Sequence, residues 1–173
     1  MRIFGIIVLI TLIGCNGCKN SKQSETVVDP NQMAADLVAM NKAKHEAEIV
    51  EINEFIKNKG WSVITTGTGL RYWIYENGTG ELAKTDDIVS IAYTVQQFDG
   101  KQLYEASRDK PGTFKVGQDN VESGLHEMLL LMHVGDKAKV ILPSYLAFGL
   151  TGDSNKVSHD MPLVYDLELV AIN

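Results

Sequence analysis

Residues 88–105 read "IVSIAYTVQQFDGKQLYE", and this stretch decides the fold class. Val89, Ile91, Tyr93 and Val95 alternate with small or polar neighbours, the period of two that marks a strand with one buried face. Asp99-Gly100 interrupts the pattern, and Asp-Gly between two such runs is a strong hairpin signal. Short strand-like runs recur on either side. "GLRYWIYENGTG" (residues 69–80) runs to an Asn-Gly turn, "GTFKVG" (112–117) is brief, and "DKAKVILP" (136–143) stops at a proline. "PLVYDLELVAI" (162–172) places Leu163, Tyr165, Leu167 and Leu169 on one face. Only one short helix interrupts them. Val121, Leu125, Met128, Leu129 and Met132 fall at helical spacing, Asp119 or Asn120 is the expected cap, and Gly135 is the stop. The reading is an α+β domain over residues 61–173: an antiparallel sheet wrapped around a short helix.

A longer helix is expected before this domain, over residues 32–60. Asp29 suits the cap, Pro30 the first helical position and Gln32 a capping box, with Gly60 as the stop. Its apolar positions form two stripes, Met33/Leu37/Met40 and Ile49/Ile52/Ile56, separated by the polar "NKAKHEAE". The second half is expected to dock on the domain and the first to be more exposed. A homodimer through this helix is the alternative, although the stripe is broken rather than carried through successive heptads.

Residues 1–14 read as a signal peptide. Arg2 precedes an apolar run from Ile3 to Ile13, which is shorter than the roughly 20 residues of a membrane-spanning helix. It ends in "LIGC" at Cys15, which resembles the bacterial lipobox. The resemblance implies cleavage before Cys15, a lipid on that cysteine and a place in the cell envelope; with no acidic residue between Cys15 and Glu25, a periplasm-facing position is expected. Residues 15–31 then read as a polar tether. Cys18 is the only other cysteine, so the domain can contain no disulfide and must stand on its core.

The formal net charge is −6, with no cluster of Lys or Arg, which argues against a nucleic-acid partner. The four histidines are scattered without ligand spacing, so no metal or other cofactor is expected. There is no Gly-x-Ser-x-Gly, and Cys18 lies in the tether, so no activated nucleophile is expected. Asp86-Asp87 reads as a turn before a strand rather than an acid/base pair. By pattern alone, the aromatic and aliphatic set that remains is core.

Four motifs in order, "YTVQQFDGKQLYEASRD", "FKVGQDNVESGLHEML", "VGDKAKVILPSYLAFG" and "MPLVYDLELV", resemble the FKBP-type peptidyl-prolyl cis-trans isomerases over residues 68–172. With the lipobox and the long helix, the chain looks most like the gliding-motility-associated FKBP-type lipoproteins. The resemblance implies an apolar pocket for a proline ring, proline-containing polypeptide clients, and a role in folding envelope proteins. The pocket would desolvate and twist the X-Pro amide. As catalytic residues it implies Tyr93, Phe148 and Tyr165, with Glu105 accepting a hydrogen bond from Tyr93 and pairing with Arg108 or Lys110. As substrate-binding residues it implies Tyr104, Phe114, Val121, Glu122 through its backbone N–H, Leu125 at the floor, and Val157 at the far loop. Tyr145 is expected to pack outside the pocket. The family floor is commonly Trp and its wall Tyr, where this chain has Leu125 and Phe148. The alternative is a non-catalytic chaperone-like or scaffold lipoprotein that binds through the same pocket or through the helix.

Overall fold

The computed structural model describes residues 29–173. The expected signal peptide, Cys15 and all but the last residues of the tether lie outside that range. The elements, in chain order, are α1 (Pro30–Lys59), β1 (Ile64–Thr65), β2 (Arg71–Glu76), β3 (Ile88–Gln96), β4 (Gln102–Ala106), β5 (Gly112–Lys115), α2 (Ser123–Leu129), β6 (Lys137–Leu142), a 3-10 turn at Ser144–Leu146, and β7 (Leu163–Ile172).

The strands form one antiparallel sheet in the order β1-β2-β6-β7-β3-β4, with β5 paired to β3. Alternation sorts the side chains. From β3 and β7, Val89, Ile91, Val95, Leu163, Tyr165, Leu167 and Leu169 turn inward and are at most 3% exposed. They meet Leu125, Met128 and Leu129 of α2 and Met132 beyond it in the main core. Gly124 allows α2 this approach, because a Cβ there would lie 2.6 Å from Leu142 Cδ2 and 3.1 Å from Leu146 Cβ.

The α1 helix starts as its sequence directs. The Asn31 N–H donates to Asp29 Oδ1 at 2.9 Å, and Pro30 occupies the first helical position. Gln32 does not close a capping box; its amide donates to Asp36 Oδ1 at 2.8 Å. Met33, Leu37 and Met40 are exposed, whereas Ile52 is fully buried. Ile52 joins Ile141 and Val164 on the outer sheet face, with Phe55, Ile56, Trp61 and Phe98 packed around them. The Phe55 and Phe98 rings stack at 4.4 Å, and Trp61 meets Phe55 edge-on at 5.5 Å. β6 and β7 are thus covered on both faces, so Ile141 and Val164 are apolar at positions that a one-sided sheet would leave polar.

The α2 helix starts later than expected. Glu122 is its N-cap residue, while the Asp119 carboxylate accepts the Lys115 N–H at 2.7 Å and closes a turn instead. Asp86 and Asp87 form a turn, with Asp86 at a φ of 74° and Asp87 Oδ2 accepting the Lys84 N–H at 2.8 Å. Among the described residues, no helix is long and apolar enough to cross a membrane, and no group of His, Cys, Asp and Glu could hold a metal ion.

Candidate active site

A cavity of about 270 Å³ opens between the inner sheet face and α2. Eight of the ten residues singled out in the sequence line it: Tyr93, Tyr104, Phe114, Val121, Glu122, Leu125, Phe148 and Tyr165. Ile91, Val95, Gly112 and Thr113 complete the wall. Strand alternation brings these side chains together. Val95 pairs with Tyr104 and with Tyr165 in the ladder, and Val89 with Phe114. Residues paired across a ladder share a face, so β3, β4, β5 and β7 all turn aromatics the same way.

Gly112 is shaped by this packing. A Cβ there would sit 3.1 Å from Tyr93 Cε1, so the missing side chain leaves the space the Tyr93 ring uses. The Tyr93 and Tyr165 rings are tilted at 46° with centroids 6.1 Å apart. On the opposite side, Phe114 meets His126 edge-on at 5.7 Å. His126 fixes the adjoining loop, with Nδ1 accepting the Gly117 N–H at 2.9 Å and Nε2 at 3.0 Å from the Asp119 carbonyl.

One acidic side chain reaches this mostly apolar wall. Tyr165, 3% exposed, donates its hydroxyl to Glu122 Oε1 at 2.5 Å. Burial first, and then the Glu122 charge, hold the Tyr165 phenol well above its ordinary pKa. The same two causes raise Tyr93. At the start of α2, the Glu122 carbonyl accepts the Leu125 and His126 N–H groups. The Glu122 N–H has no acceptor among the described residues.

Tyr104 stands at the rim, half-buried, and its hydroxyl donates to Asp153. That bond is the first cause of a raised Tyr104 pKa. Asp153 was not singled out in the sequence. Its Oδ1 accepts the N–H groups of Asn155 and Val157, each at 2.8 Å. Burial works against its charge, but the Tyr104 hydroxyl and these N–H groups prevail, so its carboxyl lies below its ordinary pKa. The sequence signal was there in "TGDSN" (151–155), since an Asp in such a turn bonds to backbone N–H groups just ahead of it.

Two expected residues lie elsewhere. Glu105 pairs with Thr94 in the ladder, one step out of phase with Tyr93, which pairs with Ala106. Alternation therefore puts Glu105 on the outer face, where its carboxylate accepts the Gln102 amide at 2.8 Å. It takes no hydrogen bond from Tyr93, and Arg108 pairs with Glu168 instead. Val157 is 4% exposed in the main core and does not line the cavity. Tyr145 packs outside the cavity as expected, donating its hydroxyl to the Thr68 carbonyl at 2.8 Å.

An antiparallel sheet closed on one short helix, with a cavity of converging aromatics between them, defines a class that the comparisons identify. Residues 79–170 match the family described as FKBP-type peptidyl-prolyl cis-trans isomerase, and the chain belongs to that family. Among its relatives, FkpA of Aeromonas hydrophila is 36% identical over 148 residues, 82% of this chain and 54% of that protein. The crystal structure of a peptidyl-prolyl cis-trans isomerase from Pseudomonas syringae pv. tomato is 27% identical with a TM-score of 0.63, over 76% of this chain and 95% of that one. The crystal structure of FkpA from Escherichia coli is also 27% identical with a TM-score of 0.63, over 85% of this chain and 74% of that one. The chain spans about half the length of the curated FkpA relatives it matches. The narrower resemblance to gliding-associated lipoproteins has no support from these relatives.

Proposed function

We propose that this chain is a peptidyl-prolyl cis-trans isomerase that acts on proline-containing polypeptides in the cell envelope. The observation that carries the reading is the convergence of Tyr93, Tyr104, Phe114, Val121, Leu125, Phe148 and Tyr165 on one cavity, within a chain of this family.

The chemistry needs no nucleophile. An amide resists rotation by roughly 20 kcal/mol, because resonance holds it planar. The planar form separates charge, and water stabilises it. The twisted form separates less. A proline ring seated on Leu125, between Tyr93, Phe114 and Tyr165 with Phe148 as the wall, loses that water. The planar amide is then disfavoured relative to the twisted one. In this reading the Glu122 N–H, which has no acceptor of its own among the described residues, holds the substrate carbonyl. Lowering the barrier by about 4 kcal/mol corresponds to roughly a thousand-fold in rate.

A protease-coupled assay on Xaa-Pro peptides tests the reading. The expected result is a rate enhancement that a folded Tyr93→Ala variant loses. No enhancement from well-folded wild-type protein would overturn it and leave a non-catalytic binder.

Placement in the envelope rests on "LIGC" and a lipid at Cys15. Incorporation of a labelled fatty acid that Cys15→Ser abolishes is the expected result; labelling that persists in the variant would refute it. A homodimer through α1 is supported by the exposed Met33, Leu37 and Met40. Light scattering should then give twice the chain mass, and a monomer mass would refute it.

A further inference from the structure

The wall residue Phe148 is carried on a loop whose first residue is held from outside the isomerase fold. Ser144, 8% exposed, follows Pro143 at the end of β6, and the sheet ladder does not extend to it. Its N–H donates to Glu48 Oε1 at 2.5 Å, and its hydroxyl to Glu48 Oε2 at 3.1 Å. Glu48 lies on α1. The Ser144 carbonyl in turn accepts the Ala147 N–H at 3.1 Å and the Gly149 N–H at 2.8 Å. These are the two amides that flank Phe148. Ser144 is therefore a pin: one end is fixed by Glu48, and the other fixes the backbone on both sides of the wall residue.

The same face of α1 touches the loop system twice more. Residues 44, 45 and 48 share a helix face through the i, i+3 and i, i+4 spacings. The His45 ring meets Tyr145 edge-on at 5.3 Å. Lys44 pairs with Asp160 at 3.2 Å, and the Asp160 N–H donates to the Gly149 carbonyl at 2.9 Å. The helix thus braces the start and the end of the Phe148 loop.

We propose that Glu48 is a positioning residue for the isomerase, holding the Phe148 wall through Ser144, so that α1 is a working part of the active site. This rests on the reading of the cavity as an isomerase site. A buried N–H left without its acceptor is unfavourable, so without Glu48 the loop is expected to shift until water reaches Ser144. Phe148 would move with it. Catalysis that depends on fixed geometry is sensitive to such small displacements.

The test uses the full chain and the steady-state constants for a fast Xaa-Pro peptide. Wild type, Glu48→Ala, Glu48→Asp and Glu48→Gln are compared. Gln keeps an acceptor at the same reach, whereas Asp is one methylene short. The expected result is a loss in kcat of about ten-fold for Ala and Asp, equal to roughly 1.4 kcal/mol, with KM little changed and most of the rate kept by Gln. A fall in stability that left kcat untouched in folded Ala and Asp variants would overturn the proposal. So would equal losses in Asp and Gln. Should the Ala variant fail to fold, the Asp-against-Gln comparison still decides. An inactive wild type would instead sink the isomerase reading itself.

Discussion

The Tyr165–Glu122 pair allows a quantitative test of how the cavity is built. Tyr165 is 3% exposed, and its hydroxyl lies 2.5 Å from a carboxylate oxygen. A hydrogen bond to a charged group contributes about 1.5–3 kcal/mol. Glu122 is only half-buried, so water can take the place of Tyr165 at its carboxylate, and the lower end applies. Tyr165→Phe should cost about 1.5 kcal/mol, and Glu122→Gln about 1 kcal/mol. If the bond couples them, the double variant should fall short of the sum by about 1 kcal/mol. The assay is equilibrium urea unfolding of the four proteins at neutral pH, at matched slope. A coupling below about 0.3 kcal/mol would refute the reasoning, because that is the scatter of independent sites. The pair also fixes a pH dependence. The fold raises the Tyr165 pKa, so the folded state holds this proton more tightly than the unfolded chain does. Stability is fully present below the ordinary tyrosine value of about 10 and falls as pH rises above it. The fall should be shallower in Tyr165→Phe; an unchanged slope would contradict the assignment.

Two further outcomes are expected. Ile52→Ala empties the fully buried contact between α1 and the outer sheet face and should cost about 2–5 kcal/mol in urea unfolding, whereas a change near zero would show that α1 does not dock there. Gly112→Ala sets a methyl group 3.1 Å from Tyr93 Cε1; the ring must give way, so isomerase efficiency should drop several-fold while the unfolding midpoint barely moves, and full activity would show that the Tyr93 ring position is not critical.

The fold was legible where local pattern carries it. Alternation through Val89–Val95 and Leu163–Leu169, with the turn at Asp99-Gly100, defines the sheet, and the Ile49/Ile52/Ile56 stripe marks the docking half of α1. Pairings between distant segments were not legible. The start of α2 was misread because Asp119 has two uses open to it, cap or turn, and its carboxylate closes a turn on Lys115. Glu105 was misplaced because a resemblance aligns positions without supplying the strand phase, and the phase turns it away from Tyr93. Glu48 reads as one more polar residue of a solvated helix, since its partner Ser144 is 96 residues away. Asp153 is intermediate: its turn is written in "TGDSN", but its bond to Tyr104 spans 49 residues.

The activity proposed for this cavity is faster rotation about prolyl bonds. Exchange NMR of a short Xaa-Pro peptide tests it directly, because the uncatalysed interconversion takes tens to hundreds of seconds. With catalytic amounts of the chain, cross-peaks between the cis and trans signals should appear at sub-second mixing times, and Phe148→Ala should weaken them about ten-fold or more. Peptide shifts that show binding without exchange, or a folded Phe148→Ala variant as active as wild type, would contradict the account.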